Sequence, residues 1–505
     1  MNNIDSAAQY PRWTKFLVLA GIVTVIGCST PVGYNIGVVN TPGYVIKRFC
    51  NESVLARFNV ELTEGRLDFL WSFIVAIFLV GGAVGSLSGS VTADKIGRRS
   101  GLIVSSILGI AGALLFVTSK PANSVEMLVI GRIFVGLSSG LITTIMPMYL
   151  MELSPPDLKG ASGALCPLGV TTGVLLGQIL STKAILGNES YWHYCLAFFG
   201  LLQMVCAFVI PFLPESPKYL FVIRDQPQLS LKELQRVRNI DEDMLIQEIE
   251  ELKKEKQHNL EKGEDWNIAK VIRSESLLLP LLLICSLQAG QQLSGVNAVF
   301  YYSTDIFKGA GLSASSSELA TIGAGCCNIF MAILSVQTMS WFKRRAVLQI
   351  SLLSSTFFLV LLGLSISYMD YYSWMPYLCV AGVLGYVLSY GLGLGPIPYF
   401  VGSELFEVGP RSSAMALGSM ANWGGNFLVG LTFPTLKTAI GATSFFIFAA
   451  FVIALFVFVR IYLPETKGVE AAAISKLVEN GFKSKSLRPQ LVDRVEMSGA
   501  IEKFS

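Results

Sequence analysis

An all-α membrane protein, with twelve transmembrane helices in two pseudo-symmetric bundles of six, is the fold class that this 505-residue sequence predicts. Three observations predict it. The chain is 52% hydrophobic and only 14% charged, with a mean hydropathy of +0.57, whereas an average soluble domain carries about 25% charged residues. The apolar residues are gathered into runs of about 20, the length that a helix needs to cross a bilayer. Landmarks of the first half also return in the second: Arg98-Arg99 as Arg344-Arg345, Glu152 as Glu404 and Pro214-Glu215 as Pro464-Glu465, at separations of 246, 252 and 250 residues. This composition excludes an ordinary water-coated enzyme, and a net charge of +3 gives no argument for nucleic acid.

Taken in order, the predicted spans are 16–42, 68–92, 101–119, 127–151, 161–182, 191–213, 275–303, 318–341, 346–368, 376–402, 412–436 and 441–463. The first is too long for a signal peptide and has no small-residue cleavage site behind it. Breakers punctuate several spans: Pro31 and Gly33, Pro147, Pro167, Pro396 and Pro398. In lipid such breaks persist only where the freed peptide groups meet protein or a wet cavity. The domain plan is a first bundle over 1–213, an intracellular helical linker over 214–274, a second bundle over 275–463 and a tail over 464–505. In the linker, Met244, Leu245, Ile249 and Leu252 fall at helical spacing among charges. This predicts short amphipathic helices against the membrane-side surface, with a merely solvated linker as the alternative.

The placement of Lys and Arg puts both termini and the linker on the cytoplasmic side, although outside the linker and tail the margin is small. Asn51-Glu52-Ser53 then forms an N-glycosylation acceptor in the longest outer loop. A second tripeptide, Asn188-Glu189-Ser190, stands too near span six to be favoured. Of nine cysteines only Cys50 falls in an outer loop, so neither a disulfide framework nor a metal site is expected.

The polar residues within the spans carry the chemistry. Gln288, Gln291 and Gln292 share one face of span seven with the small Gly295, and Asn297 follows. A buried amide without partners costs about 1–3 kcal/mol, so three on one face need something polar to meet. Carboxamides donate and accept, which suits the hydroxyls of a neutral polyol. Asn328 in span eight and Asn422 and Asn426 in span eleven add to the set, and Trp423, Tyr390 and Tyr399 offer aromatic faces to the apolar side of a pyranose. The alternative is that these amides join helix to helix.

These motifs together resemble the sugar porters of the major facilitator superfamily, and most of all the animal facilitative glucose transporters, over residues 15–468. The matching segments are Gly33-Tyr34-Asn35, Asp94-Lys95-Ile96-Gly97-Arg98-Arg99, Gly131-Arg132, Glu152-Leu153-Ser154-Pro155 and Pro214-Glu215-Ser216-Pro217 in the first half. In the second half they are the run Gln291–Asn297, Gly395-Pro396-Ile397-Pro398, Asn422-Trp423 and Pro464-Glu465-Thr466-Lys467-Gly468. The resemblance implies the major facilitator fold, a sugar site at the interface of the two halves and no cofactor. It makes Gln288, Gln291, Gln292, Asn297, Asn328 and Asn422 ligands of sugar hydroxyls, Trp423 a cavity-floor aromatic, and Tyr301 and Tyr302 the bend that closes an outer gate. Tyr399 stands where the family has Trp, Gly391 where it has Glu, and Cys166-Pro167 where it has His-Gln. Ala289-Gly290 resembles members with broader or fructose-directed choice.

Proton coupling requires a titratable group at mid-membrane. Spans one, five and eleven hold no Asp or Glu, and in spans seven and eight they stand only at the first residues, Glu275 and Glu318. Proton-coupled sugar porters place an Asp in span one where this chain has Asn35. No P-loop occurs, so ATP is not the motor. The expected function is facilitated diffusion of hexose, with glucose first, across the plasma membrane. Fructose or mixed-hexose transport, proton symport and a non-transporting sugar sensor are the alternatives, the last disfavoured by the short tail. Asp94, Arg98, Arg99, Glu152, Arg344, Arg345, Glu404 and Arg411 are expected to form an inner latch that ties the two bundles together. Lys159 replaces the family's Arg and predicts a looser first-half latch. Arg132, the one deep charge, is expected to bond backbone carbonyls or to reach toward Glu126.

Overall fold

The computed structural model describes residues 13–155, 158–241, 245–261, 268–406 and 408–467, with 474, 477–478 and 481–482 beyond them. Every regular element among these is helical. The chain divides into two compact units, Met1–Gly263 and Glu264–Ser505. The first contains α1 (Lys15–Gly37), α2 (Gly43–Phe58), α3 (Glu64–Ile96), α4 (Arg98–Ser119), α5 (Val125–Leu153), α6 (Lys159–Leu180) and α7 (Trp192–Phe212). Two linker helices follow in the same unit, α8 (Pro227–Arg238) and α9 (Ile246–Glu261). The second unit contains α10 (Ile268–Arg273), α11 (Glu275–Leu293), α12 (Val296–Gly309), α13 (Ala314–Trp341), α14 (Arg344–Ser367), α15 (Met375–Leu392), α16 (Ile397–Leu405), α17 (Val408–Ile440) and α18 (Thr443–Tyr462). Most of the tail, Met244 and the side chain of Lys159 lie outside the described residues.

Eleven helical stretches among the described residues are long and apolar enough to cross a membrane. The protein is therefore a multi-pass membrane protein. A twelfth long helix, α17, runs for 33 residues, but Asn422, Asn426 and the Gly424-Gly425 pair interrupt its apolar run.

The first bundle is packed backbone against backbone. A Cβ on Gly33 would stand 1.8 Å from the Val170 carbonyl oxygen, on Gly37 2.3 Å from that of Val174, and on Gly173 2.0 Å from that of Thr30. Between α3 and α5 the same holds for Gly81, Gly85, Gly136 and Gly140, each within 2.5 Å of a facing carbonyl. Only small residues let membrane helices approach so closely. In the second bundle the backbone approaches are longer, with a Cβ on Gly393 3.0 Å from the Val347 carbonyl oxygen, and glycines such as Gly402 and Gly391 meet the side chains of Ile284 and Met331.

Two expectations about the loops are corrected. Span one stops at Gly37, and the segment read as the longest outer loop is largely the helix α2. Its basic residues dock it: Lys47 pairs with Asp68 at 2.6 Å, Arg48 with Glu189 at 2.8 Å and Arg57 with Glu126 at 2.5 Å. Asn51 therefore sits on a helix, half-buried, and its Oδ1 accepts from the Leu62 N–H at 3.3 Å. The Ser53 hydroxyl of the same tripeptide is buried and donates to the Asn123 carbonyl at 2.7 Å. Cys50 is buried too, which pushes its thiol up to about 12.

The start of the linker and its helix α8 are pinned to the carbonyl ends of three spans. Arg224 donates to the Lys95 carbonyl at 2.6 Å, Arg238 to that of Leu153 at 2.5 Å and Arg236 to that of Phe212 at 2.8 Å. A helix C-terminus has unmet carbonyls and a negative dipole end, and cationic side chains answer both.

The glycine contacts generate a test. Gly173→Ala should lower the melting temperature of the purified protein, because a Cβ there has only backbone to displace; an overpacked core position costs about 1–3 kcal/mol. Gly65→Ala, with nothing within 4 Å, is the control and should be neutral or slightly stabilising.

Candidate substrate site

Two chain breaks organise the second unit. Helix α11 ends at Leu293 and α12 begins at Val296, with Gly295 between them at φ +85°. Only glycine fits: the conformation is left-handed, and a Cβ would lie 2.5 Å from Phe448 Cδ2. Helix α15 ends at Leu392 and α16 begins at Ile397, because Pro396 and Pro398 supply no N–H. Carbonyls freed there need donors from elsewhere.

The carboxamides supply them. Gln291 Nε2 donates to the carbonyls of Leu394 and Gly395 at 3.1 and 2.6 Å, and Gln288 Nε2 to that of Pro398 at 3.2 Å. Asn422 Nδ2 lies 2.9 Å from Gln288 Oε1 and 2.6 Å from Gln291 Oε1. Gln292 Nε2 donates to Asn422 Oδ1 at 3.2 Å, and its Oε1 accepts from Asn297 Nδ2 at 2.5 Å. Five of the six expected carboxamides thus form one connected network between α11, α12, α17 and the break before α16. Asn328 on α13 is half-buried and is not part of that network. Trp423 is half-buried, and Tyr399 is 54% exposed. In this geometry the amides join helices, and each bond they make to one another is one that a hydroxyl can replace.

The gate tyrosines sit on α12. Tyr302 donates to the Gly430 carbonyl at 3.2 Å and Tyr301 approaches Asn426 Oδ1 at 3.5 Å, so both reach α17. Gly290 faces away from the network, since a Cβ there would lie 2.6 Å from Leu455 Cδ2, and the Ala289 backbone runs against Gly425.

In the first unit, Arg132 bonds backbone. It donates to the carbonyls of Ile74, Val75 and Asn35 at 3.2, 3.2 and 3.1 Å, and its guanidinium lies 4.7 Å from the Phe78 ring centre. Glu126 is engaged by Arg57 instead. Asn35 itself donates to the Pro31 carbonyl at 2.9 Å.

The charged residues at the carbonyl ends of the helices form two copies of one cluster, each closed inside its own unit. Arg98 meets both oxygens of Glu152, at 2.9 and 3.1 Å, and Arg344 lies 3.4 Å from one oxygen of Glu404. Arg98 also donates to the carbonyl five residues back, Ala93, and Arg344 does the same to Met339. Glu215 accepts from the N–H groups of Arg98 and Arg99, and Glu465 from those of Arg344 and Arg345. Ser216 and Thr466 donate to Glu152 and Glu404 in turn. Burial pushes the Glu215 carboxyl above its ordinary range, against the pull of those N–H groups and of Arg99.

Two expectations are corrected here. The pairs expected to tie one bundle to the other are satisfied within each. The first cluster carries one contact more, Asp94 to Arg98 at 3.0 Å, where the position four before Arg344 is a serine; the Lys159 side chain, from which a looser first-half latch was expected, lies outside the described residues. Among the described residues, the side chains of Arg99, Arg345 and Arg411 turn to backbone carbonyls. Arg99 donates to the Leu213 carbonyl, Arg345 to that of Arg460 and Arg411 to that of Phe406.

Residues 20–477 match the family model described as "Sugar (and other) transporter". The chain belongs to the sugar transporter family. Facilitated glucose transporter member 3 of solute carrier family 2 from Ovis aries is 39% identical over 92% of this chain and 93% of its own. Its Homo sapiens counterpart is 38% identical with the same coverage. Among solved structures, a proton:xylose symporter of the major facilitator superfamily with bound 6-bromo-6-deoxy-D-glucose matches with TM-score 0.73 at 23% identity, covering 92% of this chain and 99% of that one. An inward-open xylose transporter from E. coli matches with TM-score 0.74 at 22% identity, covering 91% and 99%. This sugar transporter thus has the major facilitator fold and is not an enzyme.

Sequence reasoning found the amides from their spacing but missed Tyr386, whose hydroxyl lies 2.8 Å from Ser294 Oγ. Tyr386 looks like any apolar-span aromatic, and only its position opposite the α11–α12 break gives it a partner.

Gln291→Leu should destabilise the ligand-free transporter by about 1–3 kcal/mol, since the Leu394, Gly395 and Asn422 polar groups are then left unmet. Asn328→Leu should cost less. Thermal unfolding of purified protein without sugar compares the two.

Proposed function

We propose that the chain equilibrates a hexose, D-glucose first, across the plasma membrane by alternating access, with both termini cytoplasmic and no ion coupling. The observation that carries this reading is the likeness, over about nine-tenths of both chains, to relatives named facilitated glucose transporters. The proposed ligands are Gln288, Gln291, Gln292, Asn297, Asn328 and Asn422, with Trp423 and Tyr399 as aromatic walls. A sugar hydroxyl that donates to Gln291 Oε1 and accepts from Asn422 Nδ2 would take up one bond of the network and return two. The network therefore favours a ligand that both donates and accepts at neighbouring points, as the hydroxyls of a pyranose do.

Uniport is supported by the surroundings of Arg132. Its positive charge is met by three carbonyls and an aromatic ring, and the neighbouring side chain on α1 is Asn35, an amide that carries no proton at physiological pH. A proton carrier needs a group there that titrates. Mixed-hexose or fructose transport is the second reading, motivated by Ala289 and Gly290. The packing of Gly290 against Leu455 would make any such effect act through helix position rather than through direct contact.

Uptake of labelled D-glucose into proteoliposomes at pH 5.5 and 7.5 is the test. Equal rates at both values, no pH change inside the vesicles and competition by unlabelled glucose are expected. Acidification that accompanies uptake would overturn uniport, and fructose flux without glucose flux would overturn the substrate. Gln292→Ala should weaken glucose binding by about 1–3 kcal/mol, which is roughly five- to 150-fold. Normal transport in that variant would misplace the site.

A further inference from the structure

The two chain breaks of the second unit are tied to each other in both directions, and only one of the ties is a carboxamide. Gln291 reaches from α11 to the carbonyls of Leu394 and Gly395 in the break before α16. The return tie is Tyr386 on α15. Its side chain is fully buried, and its hydroxyl lies 2.8 Å from Ser294 Oγ and 2.9 Å from the Ser294 carbonyl oxygen. Ser294 Oγ in turn lies 2.6 Å from the Gln291 carbonyl oxygen. Two hydroxyl protons thus serve three close oxygen pairs, all at the residue between the end of α11 and the left-handed Gly295.

The support for Tyr386 is itself fixed. Three residues further along α15, the Ser389 carbonyl accepts from Ser351 Oγ at 2.6 Å, and Ser351 Oγ itself accepts from the Leu394 N–H at 2.9 Å. Helix α14 therefore holds the end of α15, and α15 holds the turn into α12. On the far side of that turn, Phe448 stands against Gly295 and packs on Phe433, which in turn packs on Tyr302. Helix α12 is anchored at its start by one hydroxyl and along its length by its reach to α17.

We propose that Tyr386 is the positioning residue of the hinge between α11 and α12. Its hydroxyl fixes the Ser294 peptide, so that α12 moves as one body about Gly295 and carries Tyr301 and Tyr302 with it. Tyr386 hydrogen-bonds to no side chain of the carboxamide network. It acts through Ser294, and its expected effect is on the rate of conformational exchange rather than on the grip of the ligand. The flux part of this inference rests on the sugar-transport reading.

The test uses the full-length protein, its Tyr386→Phe and Ser294→Ala variants and the double variant. Backbone hydrogen exchange over Val296–Ser303 should speed up about ten-fold in Tyr386→Phe, the change that one buried hydrogen bond commands. Ser294→Ala should speed it as well, and the double variant should do little more than Tyr386→Phe alone. In proteoliposomes, glucose turnover per folded transporter should shift several-fold in Tyr386→Phe while the half-saturating concentration stays in place. A side chain that only filled space would lower the melting temperature and leave exchange over Val296–Ser303 in step with the rest of α12. Unchanged exchange in Tyr386→Phe, or full additivity in the double variant, would overturn the proposal. Should the wild-type protein move no glucose, the transport reading fails, and hydrogen exchange alone decides the role of Tyr386. Should Tyr386→Phe not fold, exchange in Ser294→Ala decides it.

Discussion

A peptide carbonyl inside a bilayer has no water to bond, so each one released by a helix break or a helix end must be met by a side chain. The rest of the structure depends on that constraint. Gln291 and Gln288 meet the carbonyls around Pro396 and Pro398. Arg132 meets Ile74, Val75 and Asn35. Arginines close the ends of the spans: Arg98 on Ala93, Arg238 on Leu153, Arg344 on Met339, Arg411 on Phe406 and Arg345 on Arg460. The charged residues of the recurring loops are therefore caps first and ion pairs second. This is why they bond within a unit.

The same constraint places the polar chemistry. A break that lets a helix bend also exposes carbonyls, and the donors brought in to satisfy them become the polar lining of that region. In the second unit those donors are carboxamides with spare valence, so one set of side chains both closes the break and offers hydrogen bonds to a ligand. In the first unit the helices meet through glycines, with carbonyl oxygens close to where a Cβ would be. That surface has no room for side chains to rearrange. The two units thus divide the work: one is packed tight by small residues, and the other carries the joints.

Much of this was legible in the sequence. The twelve spans, their duplication and the amide face of α11 follow from length, spacing and the cost of a polar group in lipid. Helix α2 was not legible, because its apolar content is low and its charged partners Asp68, Glu126 and Glu189 are each distant in the chain. The partners of Arg99 and Arg411 were also hidden. A charge count assigns arginines to carboxylates, whereas a planar fork beside a helix end is better used on carbonyls. Asn328 was grouped with the other amides by residue type alone, and nothing in a linear pattern says which amides will touch.

The duplicated clusters carry the argument one step further. Glu215 and Glu465 each accept the first two N–H groups of the helix that follows their arginine, so each caps a helix start from a distant loop. That loop leads out of the last span of its own half. A carboxylate in this position couples the end of the sixth helix of a half to the start of its third, and a Ser or Thr next to it passes the link on to the end of the fourth. Three helices are thereby closed at one end around a single arginine. All of these bonds lie within one unit. The cluster with Asp94 is the stiffer of the two, and the one with a serine in that place leaves Glu404 the longer contact. The looser closure belongs to the unit that also contains both breaks, the network of amides and the Gly295 hinge.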